Sequence, residues 1–179
     1  MIATRQIHNL SLIGFSGTGK SSVGRLVADA LRFTFLDTDS VIEARAGKII
    51  REIFAQDGET GFREWERRIV EELARRTRTV ISTGGGLPTV EGNLASLKAH
   101  SLVVCLWASP EKIFERVKGQ SHRPLLNQPD PMAEITRLLA LRGPFYRQAD
   151  VLVNTEMRSL REVAMQVIHQ FRLAQAAHK

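Results

Sequence analysis

The run Gly14-Phe15-Ser16-Gly17-Thr18-Gly19-Lys20-Ser21 constrains this chain more than any other feature. It matches the eight-position pattern G-x-x-x-x-G-K-[ST], which does its work only as the joint between a β-strand and a helix N-terminus. The flanks meet that condition. Leu10 to Ile13 is a strand-like apolar run before it, and Val23, Leu26, Val27, Ala30 and Leu31 recur at helical spacing after it. Gly14, Gly17 and Gly19 let the backbone turn its N–H groups inward, and the helix dipole adds positive potential at the same place. Such a loop cradles the phosphates of a nucleotide. Gly17, Thr18, Gly19, Lys20, Ser21 and Ser22 are the expected contacts, with Lys20 as a point charge for the β and γ phosphates. The Ser21 hydroxyl is the expected ligand of Mg²⁺ brought in with ATP, since Mg²⁺ takes a few protein oxygens together with phosphates.

Beyond the loop, short β-branched segments alternate with longer segments of helical period, the pattern of βαβ units around a parallel sheet. The expected strands are Leu10 to Ile13, Thr34 to Leu36, Thr79 to Ser82, Leu102 to Trp107 and Val151 to Val153. Helices are expected to begin near Lys20, Asp39, Lys48, Thr60, Val90, Ser109, Pro131 and Ser159. Ser109-Pro110-Glu111 is the clearest start, with a capping hydroxyl, a first-turn proline and then a carboxylate. The predicted fold is α/β, a three-layer sandwich with a five-stranded parallel sheet of the P-loop NTPase type. Residues 1–179 form one domain on this reading, because no linker composition interrupts them. The stretch from Lys118 to Asp130 has no clean period and carries turn signals, so it reads as an excursion from the core and a mobile lid.

Composition narrows the partners. The longest apolar run, Leu102 to Ala108, is far shorter than the roughly 20 residues that cross a bilayer. No signal-peptide h-region opens the chain, and the single cysteine, Cys105, lies inside an apolar strand as a small buried hydrophobe. A cytoplasmic, membrane-free protein is expected. The formal charge of +6 is spread along the chain without a basic arm or an aromatic-and-basic stripe. Nucleic acid is therefore not an expected partner, and the chain is expected to act as a monomer.

A phosphate loop alone is shared by GTPases, ATPases and small-molecule kinases. The chain lacks an Asn-Lys-x-Asp guanine signature and an apolar strand ending in a conventional Walker B aspartate, which disfavours the hydrolase switches. At the end of the second strand stand Asp37 and Asp39, two residues apart, where open α/β sheets bind ligands. Asp37 suits the magnesium shell, and Asp39 suits acceptance of a proton from an attacking hydroxyl, although an aspartate there also suits a helix cap. Arg63, near a helix start, suits bidentate capture of a carboxylate, but its spacing alone fits a surface residue equally well. Gly84, Gly85 and Gly86 follow the third strand and allow either close backbone approach to a ligand or a plain turn.

Taken together these residues resemble the shikimate kinase family. The likeness rests on GFSGTGKS at 14–21, DTD at 37–39, FR at 62–63, GGG at 84–86, RPLL at 123–126 and R-x-P-x-Y at 142–146, and spans Leu12 to Asn154. The resemblance implies a nucleoside monophosphate kinase-like fold that uses MgATP to convert shikimate to shikimate 3-phosphate. It implies catalytic roles for Lys20, Asp39 and Arg123, the last on the lid and reaching the transferring phosphate. Acceptor binding falls to Asp39, Arg63, Gly84, Gly85, Gly86 and Arg142, with both arginines on the substrate carboxylate. Ser21 and Asp37 serve the metal, while Arg116 and the Asn154-Thr155 turn flank the adenine. Leu87-Pro88 and Trp65 depart from common family members without removing a functional group. A kinase for another small acid, such as gluconate, is the alternative that shares the loop and fold.

Overall fold

The computed structural model describes residues 5–118 and 129–177. Five strands, β1 (Asn9–Ile13), β2 (Thr34–Asp37), β3 (Thr79–Ser82), β4 (Ser101–Trp107) and β5 (Val151–Asn154), form one parallel sheet in the order β2-β3-β1-β4-β5. Among the described residues, seven helices connect and cover them: α1 (Lys20–Leu31), α2 (Thr38–Ala46), α3 (Ile50–Leu73), α4 (Asn93–His100), α5 (Pro110–Val117), α6 (Pro131–Tyr146) and α7 (Leu160–Ala177). A short 3₁₀ turn spans Leu87–Thr89. All five expected strands are present, with ends shifted by at most one residue.

The central strands are buried on both faces, which is why they read as unbroken apolar runs. Alternate residues serve opposite layers. Leu10, Leu12, Leu102, Val104 and Leu106 pack with Val23 and Val27 of α1 and Val163, Val167 and Phe171 of α7. Ile13, Val103 and Cys105 pack with Ile53, Phe62, Ile69 and Leu73 of α3 and Ile135 of α6. Period-2 alternation along strands against period-3.6 stripes on helices thus builds the three layers.

Several helix starts differ from expectation. The segments expected to begin at Lys48 and Thr60 form α3, which is broken at Gly58, where φ is 69° and ψ is −175°. A left-handed φ is available there to glycine without a side-chain clash. The start expected near Val90 falls at Asn93, because Val90 closes the 3₁₀ turn and left-handed Gly92 precedes the helix. Ser109 caps α5, its hydroxyl accepting the Lys112 N–H, and Asp130 caps α6 by accepting from Ala133 N. Of the expected lid, residues 119–128, including Arg123, lie outside the described residues. Among those described, no helix is long and apolar enough to cross a membrane.

The chain leaves β1 toward β2 and β3 on one side and later returns to β4 on the other. The loop after β1 therefore opens into the crevice at the switch in strand order, where sheets of this kind take ligands beyond the carboxyl ends of their strands.

Candidate active site

That loop turns through left-handed backbone at Gly17 (φ 86°) and Gly19 (φ 94°). A β-carbon at Gly17 would stand 2.6 Å from Val117 Cγ1 of α5, so glycine is required there by conformation and by space. Lys20 opens α1 and is 8% exposed, with its Nζ donating to the carbonyl oxygens of Gly14 and Phe15 at 2.9 Å each. Thr18 Oγ1 donates to the Phe15 carbonyl as well, at 2.8 Å. Ser16, Gly17, Lys20, Ser21, Asp37 and Asp39 line the resulting cleft of about 310 Å³, and Ser22 lines it also.

The two neighbouring carboxylates are used differently. Asp37 caps α2, its Oδ1 accepting from the N–H groups of Asp39 (3.1 Å) and Ser40 (3.4 Å), while its Oδ2 accepts from Ser21 Oγ at 2.7 Å. The capping role weighed for Asp39 thus belongs to Asp37. Ser21 and Asp37 place a hydroxyl and a carboxylate together beside the phosphate loop, a hard-oxygen pair that fits Mg²⁺. No group of three or more His, Cys, Asp or Glu side chains placed to hold a metal ion occurs among the described residues.

Asp39 lies in the first turn of α2 with Oδ1 buried and without a hydrogen-bond partner among the described residues. Burial, with the Asp37 charge added, pushes its pKa up to about 6 against the opposing pull of Lys20 and Arg63. An unpartnered buried carboxylate oxygen is costly unless a ligand completes it. It leaves an open acceptor at this point for a hydrogen-bond donor from a ligand.

The three glycines after β3 give way to three of the candidate side chains. A β-carbon on Gly84 would stand 2.5 Å from Asp39 Oδ1, and one on Gly86 would stand 2.7 Å from Arg63 Nη1. One on Gly85 would lie 3.4 Å from Arg142 Nη1 and 3.5 Å from the Gly14 carbonyl. The loop itself is held from both sides. Its Gly84 N–H donates to Thr38 Oγ1 at 3.0 Å, and the Tyr146 hydroxyl donates to the Gly85 carbonyl at 2.7 Å. Burial raises the Tyr146 phenol to about 12, so it remains a donor.

Arg63 is set by carboxylates on its own helix: Nη1 donates to Glu66 Oε2 at 2.7 Å and Nη2 to Glu59 Oε1 at 2.8 Å. Glu59 is 69% exposed at its side chain and Glu66 is 1% exposed. Glu66 went unremarked in the sequence, although it falls in register with Phe62, Ile69, Val70 and Leu73 on the buried stripe of α3. A charge on such a stripe is the signal that finds it. Burial raises its pKa to about 7 against the hydrogen bond and charge of Arg63, and its Oε1 has no partner among the described residues. Between about pH 4.5 and 7 the unfolded chain has lost this proton and the folded chain has not, so stability falls as pH rises. Glu66→Gln removes that slope. Melting curves from pH 5 to pH 8 should show the variant gaining on the wild type with rising pH, and parallel curves would contradict the assignment.

On the far side of the phosphate loop, Arg116 of α5 donates to Thr155 Oγ1 at 2.9 Å and to the Thr155 carbonyl at 2.6 Å. With Thr155, Arg158, Leu160 and Val23 it lines a groove of about 330 Å³ beside Gly19. Asn154 does not line this groove, its Oδ1 instead accepting from the Glu156 N–H at 2.8 Å. Arg158 and Leu160 do line it, and neither stood out in the sequence.

Comparisons with known proteins converge on one family. The family model described as shikimate kinase matches residues 16–172. A shikimate kinase of Thermodesulfovibrio yellowstonii is 44% identical over 163 residues, covering 91% of this chain and 94% of that protein. The solved structure of a shikimate kinase from Acinetobacter baumannii in complex with shikimate superposes with a TM-score of 0.89 at 34% identity, covering 97% of each chain. A gluconokinase from Sinorhizobium meliloti covers 97% of each chain as well, but at 20% identity and a TM-score of 0.64 it shares the fold alone.

Proposed function

The chain belongs to the shikimate kinase family, ATP-dependent enzymes that transfer phosphate to a hydroxyl of shikimate, and we propose that the cleft between the phosphate loop and Gly84–Gly86 is where it does so. One observation carries the assignment. Asp39, Arg63 and Arg142, from three different helices, meet the same three glycines next to Lys20. On this reading the whole chain serves one catalytic domain.

Phosphoryl transfer asks little covalent chemistry of a protein and much positioning and charge neutralisation. Lys20 holds the β and γ phosphates at the mouth of α1, exchanging the loop carbonyls it now bonds for phosphate oxygens. Ser21 and Asp37 would hold Mg²⁺, which when bound neutralises phosphate charge during transfer. Asp39 receives the 3-hydroxyl of shikimate at its buried Oδ1, orients it toward the γ-phosphate and takes its proton. Arg63 and Arg142 grip the acceptor carboxylate. On Arg63 the Nη1 edge stays with buried Glu66, and the Nε–Nη2 edge, which faces exposed Glu59, is the one exchanged onto substrate. Arg116 and Thr155 border the base. Arg123, outside the described residues, is assigned to the transferring phosphate on the family resemblance.

A coupled assay of ADP release with shikimate, with gluconate and with no acceptor tests this directly. Turnover should require shikimate, and equal turnover with gluconate would overturn the acceptor assignment. Arg63→Ala removes a bidentate carboxylate partner and nothing that touches nucleotide. It should raise the shikimate KM by about tenfold or more, as expected for a charge-assisted pair, with the ATP KM within about twofold of wild type. Equal rises in both constants would make Arg63 a structural residue.

A further inference from the structure

The two arginines assigned to the acceptor carboxylate are held by different means. Arg63 is clamped between Glu59 and Glu66. Arg142 forms no ion pair among the described residues, and its guanidinium carbon lies 5.5 Å above the centre of the Phe15 ring. Phe15 is 1% exposed, so the ring is rigid and its face is shielded from water. Cation–π attraction is strongest under those conditions. Phe15 also belongs to the phosphate loop, its carbonyl accepting from Lys20 Nζ and Thr18 Oγ1. The remaining side of Arg142 meets Gly85, where a β-carbon would come within 3.4 Å of Nη1, and Tyr146 fixes Gly85 through its carbonyl.

We infer that Phe15 is a positioning residue for the acceptor: its buried ring is the platform that aims the Arg142 guanidinium at the substrate carboxylate. The G-x-x-x-x-G-K-[ST] pattern leaves this second position open, since phosphate binding there uses backbone alone. In this chain the side chain at that position belongs to the acceptor site. A platform of this kind spends no carboxylate on Arg142, whose hydrogen-bond neighbour is the Tyr146 hydroxyl, whereas a carboxylate partner would compete with the substrate's own. The inference rests on the reading that Arg142 grips the acceptor carboxylate.

Four altered enzymes test it: Phe15→Leu, a protein with 3,5-difluorophenylalanine in place of Phe15, Arg142→Ala, and the double variant Phe15→Leu/Arg142→Ala, which closes a double-mutant cycle with the wild type. Leucine keeps apolar bulk and removes the π face, while ring fluorination keeps shape and weakens the face. The shikimate KM should rise about fivefold with leucine and by a smaller factor with the fluorinated ring, the scale of a cation–π contact that is still partly solvated. The ATP KM and kcat should stay within about twofold. In the cycle, Phe15→Leu should add less than about twofold to the shikimate KM once Arg142 is gone, because the two residues act as one unit. If Phe15→Leu disturbs the loop, its ATP KM rises too, and the fluorinated protein then decides the matter. An unchanged shikimate KM with difluorophenylalanine overturns the inference, as does a Phe15 effect that persists in full without Arg142. Should Arg142→Ala itself leave the shikimate KM unchanged, the carboxylate reading of Arg142 fails and the platform falls with it.

Discussion

Lys20→Met should reduce phosphoryl transfer below detection in a protein that still folds. Methionine is unbranched and of similar reach, so it refills the channel that Lys20 occupies with little repacking. The hydrogen bonds it forfeits include those from Nζ to the Gly14 and Phe15 carbonyls, which lie in one loop and are together worth about 1–3 kcal/mol. The charge it forfeits is a different matter. In a preorganised, water-poor site even a single neutral donor contributes about 10² to 10³ in rate, and a full positive charge on the transferring phosphate contributes more. Single-turnover ADP formation and a melting curve on the same preparation separate the two effects. A melting temperature within a few degrees of wild type together with loss of turnover is the expected pair of results. Normal turnover by the folded variant would remove Lys20 from the phosphate site.

The difference between those two costs also explains which parts of this protein could be read from its sequence. The phosphate loop was legible because its glycines obey local rules: Gly17 and Gly19 take left-handed φ, and a strand and a helix flank them within a few residues. The five strands were legible because burial on both faces leaves an apolar run with turn signals on either side. The reason for glycine at 84 and 86 was not, because the atoms that crowd a β-carbon there belong to Asp39 and Arg63, about 20 to 45 residues away. Separate roles for Asp37 and Asp39 were expected from their positions, but which of them caps α2, and that Ser21 meets Asp37 across the cleft, were hidden for a similar reason. Glu66 left a trace that periodicity alone can find, a carboxylate on an apolar stripe. Asn154, placed beside the base by the family resemblance, accepts the Glu156 N–H with its Oδ1 at the start of the β5–α7 turn, a local bond that the sequence did not announce. Cys105 was read as a buried hydrophobe and lies 1% exposed, its thiol raised to about 12 by burial and so inert as a nucleophile.

Asp39→Asn should lower kcat by roughly 10² to 10⁴, the range that a positioned general base supplies, with ATP binding little changed. Asparagine keeps the size and one acceptor oxygen but cannot take the hydroxyl proton. The pKa of about 6, raised first by burial and then by Asp37, places the carboxylate where it is ionised at pH 7 to 8 and still basic enough to accept. Asp37→Asn is the informative contrast. Its carboxylate caps α2 and meets Ser21, so that variant should weaken magnesium binding and recover part of its rate as Mg²⁺ is raised. No such recovery should occur for Asp39→Asn, whose lost group faces Gly84 and is the one proposed for the acceptor hydroxyl. The two substitutions lie two residues apart on the same turn, so a shared loss of helix stability would affect both in parallel. Phosphoryl transfer has a loose transition state in most analyses, and a proton that leaves late makes orientation a larger share of Asp39's contribution. A fall in kcat of less than about tenfold would assign Asp39 to orientation. Full kcat and an unchanged shikimate KM in Asp39→Asn, or magnesium rescue equal to that of Asp37→Asn, would take Asp39 away from the acceptor hydroxyl.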